Sequence, residues 1–222
     1  MKDLYDDIAI TQKFACFNLV GKTINGWKVT ESLPKPTSVK KTGGTFSLCY
    51  YIERDGVKYF MKVLDYIYVM KSLLQGTETR TARMQRCTSE FNYEKELSKY
   101  CNARRIDKVI TYVDSGEIEL EEYEYDTVSY IIYEIAKGDI KDFLDFTVKL
   151  TELAHIEELS KRLKSLHDVT VGLNQLHNNK ISHQDIKPSN IMAFEGITVA
   201  AVTDELNSVL TGGRISKIAQ PQ

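Results

Sequence analysis

Apolar and polar residues alternate through the first half of the chain, and a helical rhythm replaces that alternation in the second. Residues 27–33 read as a first strand. Residues 56–64, Gly-Val-Lys-Tyr-Phe-Met-Lys-Val-Leu, alternate with Lys62 set among apolar neighbours, the pattern of a half-buried strand. Residues 84–100 then place Met84, Cys87, Phe91 and Leu97 on one side of a predicted helix, and Glu94 falls on that same side. Two further strands, 109–116 and 128–136, flank an acidic excursion at 117–126 that reads as a solvated hairpin tip. The clearest helix carries Ile156, Leu159, Leu163, Leu166, Val169, Leu173 and Leu176 at spacings of three and four, one continuous apolar stripe. After it, residues 191–193 and 198–203 read as a short hairpin around Glu195-Gly196. Residues 4–17 read as a helical extension, and Pro34-Lys35-Pro36 separates the first strand from the Gly43-Gly44 stretch.

Between the long helix and the last hairpin lies Ile181-Ser182-His183-Gln184-Asp185-Ile186-Lys187-Pro188-Ser189-Asn190. As H-x-D-x-K-x-x-N it closely resembles the catalytic loop of Ser/Thr protein kinases, H-R-D-L-K-P-x-N. The resemblance implies that Asp185 is the base accepting the substrate hydroxyl proton, Lys187 stabilises charge on the transferred phosphate, and Asn190 ligates Mg²⁺. Lys187, two residues after the Asp, marks the Ser/Thr branch. The strand around Lys62 is similar to the family's V-A-I-K strand, whose lysine reaches the ATP phosphates. An inward carboxylate is costly unless it meets a cation; the resemblance gives Glu94 that cation in Lys62, with Glu90 the alternative partner one turn earlier.

The family's order continues on both sides. Thr42-Gly43-Gly44-Thr45-Phe46 stands where the Gly-rich loop covers the phosphates, with Gly44 matching the family's middle glycine and Gly43 beside it. Residues 128–136 resemble the strand into the kinase hinge: backbone groups around Glu134 and Ala136 would hold adenine, Tyr133 takes the gatekeeper position, and Asp139 is a candidate ribose contact. Asp204 stands where the D-F-G aspartate chelates Mg²⁺, although Glu205-Leu206 come after it in place of Phe-Gly. Gln184 replaces the arginine of H-R-D, and no A-P-E motif is present. The implied fold is α+β and bilobal. Residues 1–22 form an extension, 23–136 an antiparallel-sheet N-lobe with one helix, and 137–222 an incomplete helical C-lobe ending after the metal-binding aspartate. Such a C-lobe would leave the 156–176 stripe exposed, to be covered by a partner chain.

The rest of the composition narrows the picture without redirecting it. The 222 residues carry 29 basic and 31 acidic side chains, a net charge of −2, so no global field favours nucleic acid or membrane. No apolar run reaches membrane-spanning length. Arg80, Arg83 and Arg86 read as a solvated helix face. Cys16, Cys49, Cys87 and Cys101 lack paired spacing and read as free thiols of a reducing cytoplasm. The leading function is ATP- and Mg²⁺-dependent transfer of the γ-phosphate to a Ser or Thr of a protein substrate. A nucleotide-binding pseudokinase or regulatory module is the alternative. A small-molecule kinase of the aminoglycoside or choline type comes third, because Lys187 has no counterpart there.

Overall fold

The computed structural model describes residues 7–33, 46–71, 78–136, 138–140, 144, 156–182, 186 and 190–193. They belong to two compact units, Met1–Ile135 and Ala136–Gln222.

The first unit is built on a six-stranded antiparallel sheet. Its strands are β1 (Thr23–Ile24), β2 (Trp27–Leu33), β3 (Ser47–Arg54), β4 (Val57–Leu64), β5 (Tyr112–Glu119) and β6 (Thr127–Glu134), in the order β1-β2-β3-β4-β6-β5. Two tight turns set the register. Asn25-Gly26 (φ 48° and 83°) joins β1 to β2, and Asp55-Gly56 (φ 53° and 77°) joins β3 to β4. Consecutive left-handed residues give a hairpin whose twist matches the strands it connects, and Asn-Gly and Asp-Gly adopt it at little steric cost.

Alternation then sorts side chains onto two faces. Tyr50, Ile52, Met61, Val63, Val128, Tyr130 and Ile132 bury one face, closed by Phe14, Ala15, Cys16 and Leu19 from the N-terminal segment. That segment is not the single helix expected over 4–17. Among its described residues it comprises a short helix, α1 (Ile8–Thr11), capped by the Asp7 carboxylate, and a 3-10 turn, Ala15–Phe17. The hairpin tip overrides the helix. Ala15 N–H donates to the Tyr125 carbonyl at 2.9 Å, Tyr125 N–H donates to the Lys13 carbonyl at 2.9 Å, and the Phe14 and Tyr125 rings stack 4.1 Å apart. The acidic tip is thus a dock for the segment, with Lys13–Glu124 and Lys22–Glu122 pairs at 2.7 Å each.

The second face carries Leu64, Ile131 and Tyr133 beneath two helices, α2 (Tyr66–Lys71) and α3 (Arg80–Ala103). Thr79 caps α3 by accepting from Ala82 N–H. The buried stripe of α3 is Arg83, Cys87, Phe91 and Cys101, while Met84, which spacing alone puts on it, is exposed. The step of four back from Cys87 reaches Arg83. The basic run is therefore not uniformly solvated: Arg83, 2% exposed, donates to Glu78 at 3.0 Å and lies over the Tyr68 ring, whereas Arg80 and Arg86 stay outside.

In the second unit, β7 (Gly138–Asp139) pairs antiparallel with β8 (Met192–Ala193), and α4 (Ile156–Asn178) supplies the long helix. Leu176 of α4 is buried, while Leu163 and Leu166 are 41% and 64% exposed. The second half of the expected hairpin, 198–203, lies outside the described residues. None of the four cysteines is in a disulfide. No described helix is long and apolar enough to cross a membrane.

Candidate active site

The site assembles where β4 passes under α3. In the β4–β6 ladder Lys62 stands opposite Ile131 and Phe60 opposite Tyr133, so Lys62, Phe60, Ile131 and Tyr133 share the face that α3 covers. From α3 the Glu94 carboxylate reaches down to that face. The Lys62 ammonium donates to both its oxygens, at 2.8 Å to Oε1 and 2.5 Å to Oε2. Their side chains are 18% and 35% exposed, a pair at the border of the core and open to solvent on one side. Glu90, the alternative partner, is exposed and lies 3.5 Å from Arg86 one turn earlier on the same helix. Of the two carboxylates, the structure selects Glu94.

Tyr133 completes the cluster. Its hydroxyl donates to Glu94 Oε1 at 3.1 Å and lies 3.1 Å from Ser98 Oγ, one turn further along α3. Burial, reinforced by the Glu94 charge, pushes the Tyr133 hydroxyl well above the usual tyrosine range, so it stays protonated and available as a donor.

The remaining sequence-predicted residues are unevenly placed. Glu134 ends β6, its N–H donating to the Thr111 carbonyl at 3.1 Å, and Ala136 opens the second unit just beyond it. Asp139 belongs to β7, and Asn190, half-buried, stands two residues before β8. Gly43, Gly44, Asp185, Lys187 and Asp204 lie outside the described residues. Of the sequence-predicted site residues that are described, the structure therefore brings Lys62 and Glu94 together.

That pair suits an anionic ligand. An ammonium has three donors and no acceptor; two point at Glu94, and the third remains for a phosphate oxygen. For Mg²⁺ the described residues hold Asn190 of the expected ligands, and among them no cluster of three His, Cys, Asp or Glu side chains forms a metal site. Two features escape sequence reasoning. The Tyr133 hydroxyl bond depends on where α3 lies, which periodicity alone does not fix. Phe60 stands where the V-A-I-K strand has alanine, a substitution visible in the sequence once Lys62 anchors the alignment.

Comparison with known proteins identifies the family. The model of the family described as protein kinase domain matches residues 56–202. Human myosin-IIIa is 24% identical over 216 residues, covering 89% of this chain and 11% of that protein. Serine/threonine-protein kinase par-4 of Caenorhabditis briggsae is 28% identical over 93 residues, covering 40% of this chain and 14% of that protein. The chain thus matches only a small part of the length of these relatives. A crystallised kinase domain aligns at a TM-score of 0.49 and 16% identity, covering 79% of this chain and 42% of its own. With the family model spanning more than half of the 222 residues and the sheet, helix and Lys62–Glu94 pair in the expected order, this chain belongs to the protein kinase domain family.

Proposed function

We propose that this chain is the ATP-dependent domain of a Ser/Thr protein kinase, transferring the γ-phosphate to a hydroxyl of a protein substrate in the cytoplasm. The observation that carries this reading is the formed Lys62–Glu94 pair. Phosphoryl transfer is mostly positioning and charge stabilisation, and a lysine held at the base of the sheet by a helix carboxylate is the part of that machinery that must be in place. In this reading Asp185 takes the proton from the substrate hydroxyl and Lys187 stands against the charge on the transferred phosphate. Asn190 and Asp204 would hold Mg²⁺, which would supply charge neutralisation at the phosphates. The H-x-D-x-K-x-x-N loop and the name of the relative par-4 support the Ser/Thr assignment. Cysteines outside any disulfide suit a reducing compartment.

Phe60 favours a second reading, a module that uses the fold for regulation and not for catalysis. A phenyl ring in place of the alanine of V-A-I-K, on the Lys62 face, leaves less room for a base beside the lysine. The two readings separate in one assay: transfer of labelled phosphate from Mg²⁺–ATP to a mixed Ser/Thr peptide pool. Transfer lost in both Lys62→Ala and Asp185→Asn supports the kinase; no transfer by the unaltered chain supports the regulatory module.

A further inference from the structure

Two groups converge on the Glu94 carboxylate, and a third supports one of them. Glu94 Oε1 accepts from the Lys62 ammonium at 2.8 Å and from the Tyr133 hydroxyl at 3.1 Å. The tyrosine oxygen is in turn 3.1 Å from Ser98 Oγ. Because the single Tyr133 proton goes to the carboxylate, Ser98 must be the donor to the tyrosine oxygen. The hydroxyl is therefore seated between two residues four apart on α3, and its ring is anchored in the buried cluster of Leu64, Val69, Cys87, Phe91 and Ile131. A glutamate on a helix surface has three rotatable bonds, and an ion pair open to solvent does little to fix them. A buried phenol on the facing strand does fix them, since the hydroxyl can meet Oε1 only when the carboxylate points toward Lys62.

We propose that Tyr133 is a positioning residue whose hydroxyl clamps Glu94 in the orientation that engages Lys62, so that the pair stands assembled before any nucleotide arrives. Its bearing on phosphoryl transfer rests on the kinase reading above; the clamp itself does not. Burial keeps the hydroxyl protonated across the physiological range, so the clamp is not released by ordinary changes in pH. Glu94 Oε1 thereby joins α3 to Tyr133 of β6 and Lys62 of β4.

The test reads the lysine directly and needs neither ATP nor turnover. The rate of Lys62 acylation by an N-hydroxysuccinimide ester, followed by peptide mass spectrometry, is compared in the unaltered chain, Tyr133→Phe, Glu94→Gln and the double variant. Exposed Lys58 on the same strand serves as the internal reference. The clamp predicts that Tyr133→Phe speeds Lys62 acylation at least threefold with Lys58 unchanged. It also predicts that the double variant reacts no faster than Glu94→Gln alone, because the hydroxyl acts through that carboxylate. An unchanged Lys62 rate, an equal rise at Lys58, or the same increment in the Glu94→Gln background would overturn it. Should Tyr133→Phe fail to fold, Ser98→Ala removes the second support without touching the ring. A smaller Lys62-selective rise is then expected, and no change in Lys62 reactivity counts against the clamp. A negative result leaves the kinase reading standing, and a chain inactive in phosphotransfer can still display the clamp.

Discussion

Lys62 and Glu94, 32 residues apart in sequence, meet at 2.5 Å across the boundary between β4 and α3. Both sit at the edge of the core, where water still screens the pair, so its contribution to stability is modest while its contribution to geometry is not. Glu94→Gln is therefore expected to cost about 1 kcal/mol or less of unfolding free energy but to lower phosphotransfer at least tenfold. Urea unfolding beside a phosphotransfer assay checks both halves. A large stability loss with unaltered transfer would assign the pair to the fold alone.

Much of this site is legible in the residue pattern. Alternation places Lys62 on one face of its strand, and spacings of three and four place Glu94 inward on its helix; those two facts need only local periodicity. What periodicity does not fix is the rotation of α3 to within one residue, which is why spacing puts Met84 inward and Arg83 outward where the fold reverses them. The break in the N-terminal segment is a tertiary effect, since the Tyr125 backbone bonds to Lys13 and Ala15 replace helical ones. The Asn25-Gly26 and Asp55-Gly56 turns, by contrast, are plain hairpin signals in the sequence.

Arg83 tests the corrected helix face. Its guanidinium is buried, pairs with Glu78 and covers Tyr68, and Glu78 is held below the usual carboxylate range by Arg83 first and Arg86 second. Arg83→Ala should destabilise the first unit by about 2 kcal/mol, in the range of lost buried contacts, whereas Arg80→Ala should be nearly neutral. Equal effects in thermal melts would restore the solvated-face reading. A depressed carboxylate contributes stability above its unfolded pKa and loses it as pH falls through the folded value, so Glu78→Gln should flatten the acid limb of the stability profile below about pH 4.5.

Tyr50 governs the opposite limb. Its hydroxyl donates to the Cys16 carbonyl at 2.7 Å, and burial raises it far above the ordinary value of 10.0. Above pH 10 the unfolded chain has released this proton while the folded chain retains it. Stability is therefore full below that pH and falls as pH rises further. Tyr50→Phe should lose about 1 kcal/mol at pH 7 with its hydrogen bond to the Cys16 carbonyl and should show a shallower alkaline decline. Some decline will remain, because Tyr66, Tyr130 and Tyr133 are also raised by burial. Urea midpoints at pH 7, 9 and 10.5 decide the point; an unchanged alkaline slope would contradict it.

Phe60 offers a test of the nucleotide face. Phe60→Ala restores the alanine of V-A-I-K, at a stability cost of about 2 kcal/mol for a partly buried ring. If the base of a nucleotide lies beside Lys62, the variant should bind a fluorescent ATP analogue several-fold more tightly. Unchanged or weaker binding would mean that the ring does not limit access.

Whether the folded chain binds nucleotide as proposed is read most directly by thermal unfolding of residues 1–222 with and without Mg²⁺–ATP, beside Lys62→Ala and Asp204→Ala. A ligand that binds only the folded state adds about 2.7 kcal/mol at ~100 times its Kd. A clear upward shift is expected in the unaltered chain and is lost in both variants. A cooperative transition indifferent to Mg²⁺–ATP would contradict it.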